Sequence, residues 1–130
     1  MTKNPARYLQ IIENIPTNLI LGCTIESDIN YPQYSKAPTQ SNRIKNMIKL
    51  EQNSDNKRFL SIEPILKFNF DNFCDQIEEI NPVYGVAIGY DNHHNKLDEP
   101  EFRDTLSLRN YLIRNGFNVI DKTLKKAWWE

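Results

Sequence analysis

Apolar, strand-like segments alternate with helix-like stretches along this sequence, and each apolar segment runs into a charged residue. The clearest is Lys57–Arg58–Phe59–Leu60–Ser61–Ile62–Glu63–Pro64. Phe59, Leu60 and Ile62 supply β-compatible bulk, and Pro64, with no N–H to donate, ends the strand. Side chains alternate along a strand, so Phe59, Ser61 and Glu63 share one face while Leu60 and Ile62 share the other. A carboxylate closing an apolar strand is costly to bury unpaired. The carboxyl ends of parallel strands are also where α/β folds meet their ligands.

The same arrangement recurs. Asn4 and Pro5 predict a helix start, Tyr8, Leu9, Ile12 and Ile15 come next at helical spacing, and Pro16 ends the run. Residues 18–26 read as a strand with Leu19, Leu21, Cys23 and Ile25 on one face and Ile20, Gly22, Thr24 and Glu26 on the other. Residues 27–41 (SDINYPQYSKAPTQS) are a polar loop, either a lid or plain mobile surface. A helix from Asn42 to about Gln52 carries Ile44, Met47 and Ile48 on its stripe. After the second strand, Asp71 is the expected cap of a helix bearing Phe73, Ile77 and Ile80, which Pro82 closes. Residues 83–90 form a third strand that leads into Asp91, with Gly85, Ala87 and Gly89 on the face of that acid. Pro100 opens a fourth helix that Asn115–Gly116 closes, and residues 117–122 form the fourth strand. The tail, with Trp128 and Trp129, is expected to be a short helix that covers the open end of the core.

Strands separated by helices of this length predict parallel pairing with right-handed crossovers. The expected fold is therefore α/β: repeated helix–strand units giving a four-stranded parallel sheet, half of a (β/α) barrel. At 130 residues the chain makes a single domain, 1–130. It opens on a helix, as though a strand had been removed before it.

The formal net charge of −1 gives no basic field, so nucleic acid is not indicated. No apolar run reaches the ~20 residues of a spanning helix. Cys23 and Cys74 are the only cysteines and read as two buried thiols, which points to the reducing cytoplasm.

A parallel sheet would gather Glu26, Glu63, Asp91 and either Asp121 or Lys122 at one rim, with Thr24 and Ser61 one pleat below the first two acids. Gly85, Ala87 and Gly89 leave room for a flat ligand. Neighbouring carboxylates repel unless a cation intervenes, and Lys122, Arg58 or a metal are the compensating choices. Such a rim suits ribose hydroxyls or a divalent cation. The plain alternative is that each acid caps a helix or meets a surface lysine. His93 and His94 come just after Asp91 but have no third ligand at a recognisable spacing.

Three blocks carry a resemblance: Thr2–Lys3–Asn4–Pro5 with Arg7–Tyr8–Leu9, then Leu21–Gly22–Cys23–Thr24–Ile25–Glu26, then Arg58–Phe59–Leu60–Ser61–Ile62–Glu63–Pro64–Ile65–Leu66. In order and content they resemble the phage-associated family of radical-SAM-like proteins. The glycine-bearing Val86–Ala87–Ile88–Gly89 and Lys122 extend the likeness. The resemblance implies the C-terminal half of that barrel, beginning where the family's third strand ends. It implies an S-adenosylmethionine site that includes Thr24, Glu26, Ser61 and Glu63, with Asp91 and Lys122 nearby. The family's C-x-x-x-C-x-x-C cluster motif is absent, so no iron–sulfur cluster is expected on this chain alone.

Three functions stand as expectations. The first is a split or truncated radical-SAM-like protein whose partner is an N-terminal half-barrel chain. The second is a metal-assisted hydrolase using Glu26, Glu63, Asp91 and His93 or His94. The third is a non-catalytic module that pairs through its sheet edges, for instance as a homodimer.

Overall fold

Each strand lies beside its sequence neighbour and runs in the same direction. The computed structural model describes residues 1–130, and its sheet has the order β1-β2-β3-β4, parallel throughout. The strands are β1 (Leu21–Thr24), β2 (Arg58–Ile62), β3 (Gly85–Ile88) and β4 (Val119–Asp121). The helices are α1 (Ala6–Gln10), α2 (Gln40–Asn53), α3 (Phe70–Ile80) and α4 (Phe102–Arg114), with a 3-10 turn at Ile12–Asn14 after α1. Consecutive parallel strands joined by helices of one handedness put every helix on the same side. The result is the predicted half (β/α) barrel with one covered face and one open face.

The covered face holds the core. Leu21, Cys23 and Ile25, then Leu60 and Ile62, then Val86 and Ile88 meet Ile44, Met47, Leu50, Phe73, Ile77, Leu108 and Leu112 from the helices. The alternation read from the sequence therefore selects the right residues for this side. Gly22, Thr24, Phe59, Ser61, Gly85, Ala87 and Ile120 occupy the concave side. Phe59 spreads over both flanking glycines, 3.7 Å from the place of a Cβ on Gly22 and 3.5 Å from one on Gly85.

Several boundaries differ from the sequence expectation. Thr39, not a residue nearer Asn42, caps α2, accepting the Asn42 N–H at 3.3 Å. The helix thus begins at Gln40 and adds Gln40 and Arg43 to its buried face. Asp71 lies in the first turn of α3, whose cap position is Asn69. The tail is not a helix. It straps back across the 97–99 segment, where the Trp128 indole N–H donates to Leu97 O (2.7 Å) and that of Trp129 to Glu99 O (2.9 Å).

The free edge of β1 is partly occupied by the residues before α1. The Thr2 N–H donates to Gly22 O (3.2 Å) and the Thr24 N–H to Thr2 O (2.9 Å), a parallel bridge. Thr2 thus sits where the carboxyl end of a preceding parallel strand would sit.

Candidate ligand-binding site at the strand ends

Register assembles the site. Thr24, Ser61, Ala87 and Ile120 are successive cross-strand partners. Side chains alternate, so the residues two further on make the next row on the same face: Glu26, Glu63, Gly89 and Lys122. The ladder continues that far, since the Ile25 N–H donates to Ser61 O, Gly89 N–H to Ile62 O and Lys122 N–H to Ile88 O. Five of the six predicted site residues (Thr24, Glu26, Ser61, Glu63 and Lys122) therefore share two adjacent rows. Asp91 lies one pleat beyond Gly89.

Glu26 is enclosed by cations. Its Oε1 is 3.1 Å from Lys3 Nζ and its Oε2 is 2.8 Å from Arg43 Nη1. Glu26 is 5% exposed and Arg43 only 1%. Arg43 also donates from Nη1 to Thr24 O (3.0 Å) and from Nε to Pro38 O (2.7 Å), which ties α2 and the 27–41 segment to the end of β1. Lys3 is the one partner that reaches solvent, so the arrangement is a buried pair with an outer counter-charge. Sequence reading missed Arg43. Its signal was the spacing Gln40, Arg43, Met47, Leu50, a second run of helical period beside Ile44.

Glu63 is the opposite case. It is half-buried, and no N–H, hydroxyl or cation of the protein bonds its carboxylate. The carboxylate rests over Gly89: a Cβ there would collide with Glu63 Oε2 and lie 2.8 Å from Lys122 Cβ. Thr24 Oγ1 and Ser61 Oγ, in the row below, also make no hydrogen bond within the protein, and Lys122 is exposed and unpaired. The concave face therefore presents two free hydroxyls, one free carboxylate and one free ammonium over a small-residue floor.

Asp91 is used locally. Its carboxylate accepts from the N–H of His93 (3.1 Å), the N–H of Asn95 (2.8 Å) and Asn95 Nδ2 (3.2 Å). Burial opposes ionisation, but the Asn95 and His93 donors outweigh it and hold the carboxyl below its ordinary range. Asp91 thus organises the 92–95 loop in the manner of an Asx turn. His93 and His94 on that loop are exposed, and no group of three or more His, Cys, Asp or Glu side chains stands together to hold a metal. Asp121 faces away from the concave side, in a two-pronged pair with Arg109 (2.7 and 2.9 Å). Of the two alternatives at the end of β4, Lys122 is the one on the site.

Arg58 does not compensate the acids. It stands at the amino end of β2, donating to the carbonyls of Asn56, Ile80 and Asn81, where it closes the C-terminus of α3. Cys23 and Cys74 are free and buried, and burial pushes both thiols up to about 12.

The 27–41 segment is pinned over the rim. Ser27 Oγ and Tyr31 Oη both donate to Lys67 O (2.6 and 2.8 Å), and Asp28 accepts from the Asn69 N–H (2.8 Å) and Asn72 Nδ2 (2.9 Å). Tyr34 Oη accepts the Asp98 N–H at 3.1 Å. Beneath it lies a cavity of about 480 Å³ whose walls include Lys3, Glu26, Tyr31, Tyr34, Gln40 and Leu66. A second groove of about 560 Å³ runs between Phe68, Phe70 and α4, away from the strand ends. Comparison with known protein families, curated proteins and solved structures finds no match for this chain.

Proposed function

We propose that this chain is the ligand-carrying half of a radical-SAM-like barrel, with S-adenosylmethionine on the concave face of its sheet. The observation that carries the reading is Glu63: a half-buried carboxylate at the end of a central strand, without a partner in the protein. A carboxylate there accepts from ribose hydroxyls or from an ammonium, and its charge complements a sulfonium. Ser61 and Thr24 supply further donors and acceptors in the row below, and Lys122 supplies a cation for the ligand's own carboxylate. Ala87, in the row below, leaves room for a flat group, whereas the space over Gly89 is taken by the Glu63 carboxylate itself. The three blocks of family resemblance fall on these same strand ends.

Glu26 has a supporting role, holding Arg43 and Lys3 beside the ligand rather than binding it. Cys23 and Cys74 lie on different elements, buried, and do not make a cluster-binding set. Adenosylmethionine cleavage would draw its electron from a cluster on a partner, an N-terminal half-barrel chain that continues the sheet past β1. A second copy of this chain is the other way to cover that edge. The hydrolase reading is disfavoured because two of its ligands, Glu26 and Asp91, already spend their carboxylates on Arg43, Lys3 and the 92–95 loop.

Isothermal titration of the chain with S-adenosylmethionine tests the proposal. Binding is expected, with a loss of ten-fold or more in Glu63→Gln and no iron–sulfur absorbance after anaerobic reconstitution of the chain alone. Absence of binding, equal binding by Glu63→Gln, or a stable cluster on these 130 residues would overturn it.

A further inference from the structure

We infer that the cavity beneath the 27–41 segment is a nucleobase pocket, with the side-chain amide of Gln40 meeting the base edge and the Tyr31–Tyr34 pair forming its wall. Gln40 opens α2, is 4% exposed and lines this cavity. Its Oε1 is enclosed and has no hydrogen-bond partner in the protein. Nearly every other buried side-chain polar atom is satisfied, the sole companion exception being Gln76 Oε1 on α3. A buried amide with an unmet acceptor is a standing demand for a donor from outside the chain.

The surroundings select the donor's chemistry. Tyr31 and Tyr34 stack with centroids 5.8 Å apart and planes 20° apart. Both hydroxyls are fixed, Tyr31 to Lys67 O and Tyr34 to the Asp98 N–H, so the ring planes are set before a ligand arrives. Tyr34 keeps 43% of its surface exposed. Pro64, Leu66 and Leu97 add apolar wall, and the cavity, about 480 Å³, has the size of a small-molecule site. A flat aromatic ring with adjacent donor and acceptor atoms is what a rigid tyrosine plane and a free amide recognise together. Lys3, the solvent-reaching partner of Glu26, stands in the wall of the same cavity and can meet the sugar of a nucleoside.

The inference does not depend on adenosylmethionine occupying the concave face. Adenosine, guanosine, cytidine and uridine, each titrated into the full chain and monitored by saturation-transfer NMR and calorimetry, provide the test. At least one should bind, and Gln40→Met should weaken it ten-fold or more while raising the melting temperature of the free protein, because a buried unmet amide has been removed. In a Glu63→Gln background, which removes the ribose contact proposed for the concave face, at least one nucleoside should still bind and Gln40→Met should still weaken it. No binding by any of the four, or undiminished binding by Gln40→Met, would overturn the pocket. Loss of nucleoside binding in Glu63→Gln would also overturn it by moving the base to the concave face. Adenosylmethionine binding that is lost in Glu63→Gln but kept in Gln40→Met would leave the concave-face proposal standing and remove this one if no nucleoside binds.

Discussion

Glu26 and Glu63 close adjacent strands at the same level of one sheet, yet the protein treats them in opposite ways. Glu26 is sealed between Arg43 and Lys3, while Glu63 lies half-buried over Gly89 with no partner. The difference comes from the segment that each strand leads into. After β1 the chain loops out and returns through α2, whose second turn delivers Arg43 to the strand end. After β2 it continues through Ile65 and Leu66, which are enclosed in the core and bring no charge back. A strand-end acid is therefore a structural or a ligand-facing group according to the element that comes next, and its position alone does not decide between them.

The largest expected effect is at the sealed acid. Glu26→Ala leaves the Arg43 guanidinium buried without its counter-charge, which costs about 3–5 kcal/mol. Urea unfolding should show it, and Arg43→Met combined with Glu26→Gln should recover part of the loss. If Glu26→Ala costs no more than Glu63→Ala, the contrast between the two corners is wrong. Next comes Gly89→Val, which forces side-chain atoms into the space of Glu63 and Lys122 and should cost about 1–3 kcal/mol, as overpacking does.

Asp91 gives an effect of similar or smaller size with a pH signature. Its pKa is depressed in the folded state by the Asn95 and His93 donors. Its contribution is therefore complete above the ordinary carboxyl value of about 3.9 and disappears as pH falls through the lower folded value. Asp91→Ala should cost about 1–3 kcal/mol at neutral pH, for the lost buried acceptor, and should flatten the acid limb of the stability profile. A mutant profile parallel to that of the wild type throughout the acid limb would show that the 92–95 loop is held some other way. The smallest stability change is expected for Glu63→Gln, within about 0.5 kcal/mol, because no protein interaction is lost. A large destabilisation there would mean that Glu63 has a hidden partner and would erase the comparison.

The sheet was legible because period-two alternation and proline and glycine boundaries are local signals. Phe59, Ser61 and Glu63 on one side, and Gly85, Ala87 and Gly89 beside them, are dictated by alternation once the strands are parallel. The chemistry of the rim was only partly legible. Arginine in a helix normally reads as solvated surface, so Arg43 escaped notice although it is among the most enclosed side chains of the protein. Asp91 resembled Glu26 and Glu63 in the sequence because an acid ending a strand and an acid starting an Asx turn occupy the same position. Arg58 sits beside the strand's apolar run, but reach along the strand, not sequence proximity to Glu63, decides its partners: the carbonyls closing α3. The tail departs from the helical expectation because the carbonyls that hold Trp128 and Trp129 lie about 30 residues earlier in the chain, beyond the reach of any local signal.

The notch at Gly89 has a wider consequence. Where the negative charge of this face rests is dictated by a hydrogen atom standing in for a methyl on the neighbouring strand, not by anything Glu63 itself contacts. One added carbon would claim the space that the carboxylate now fills and force it to another position. The polarity of the whole opening can thus be retuned by steric means, with every ionisable residue left in place.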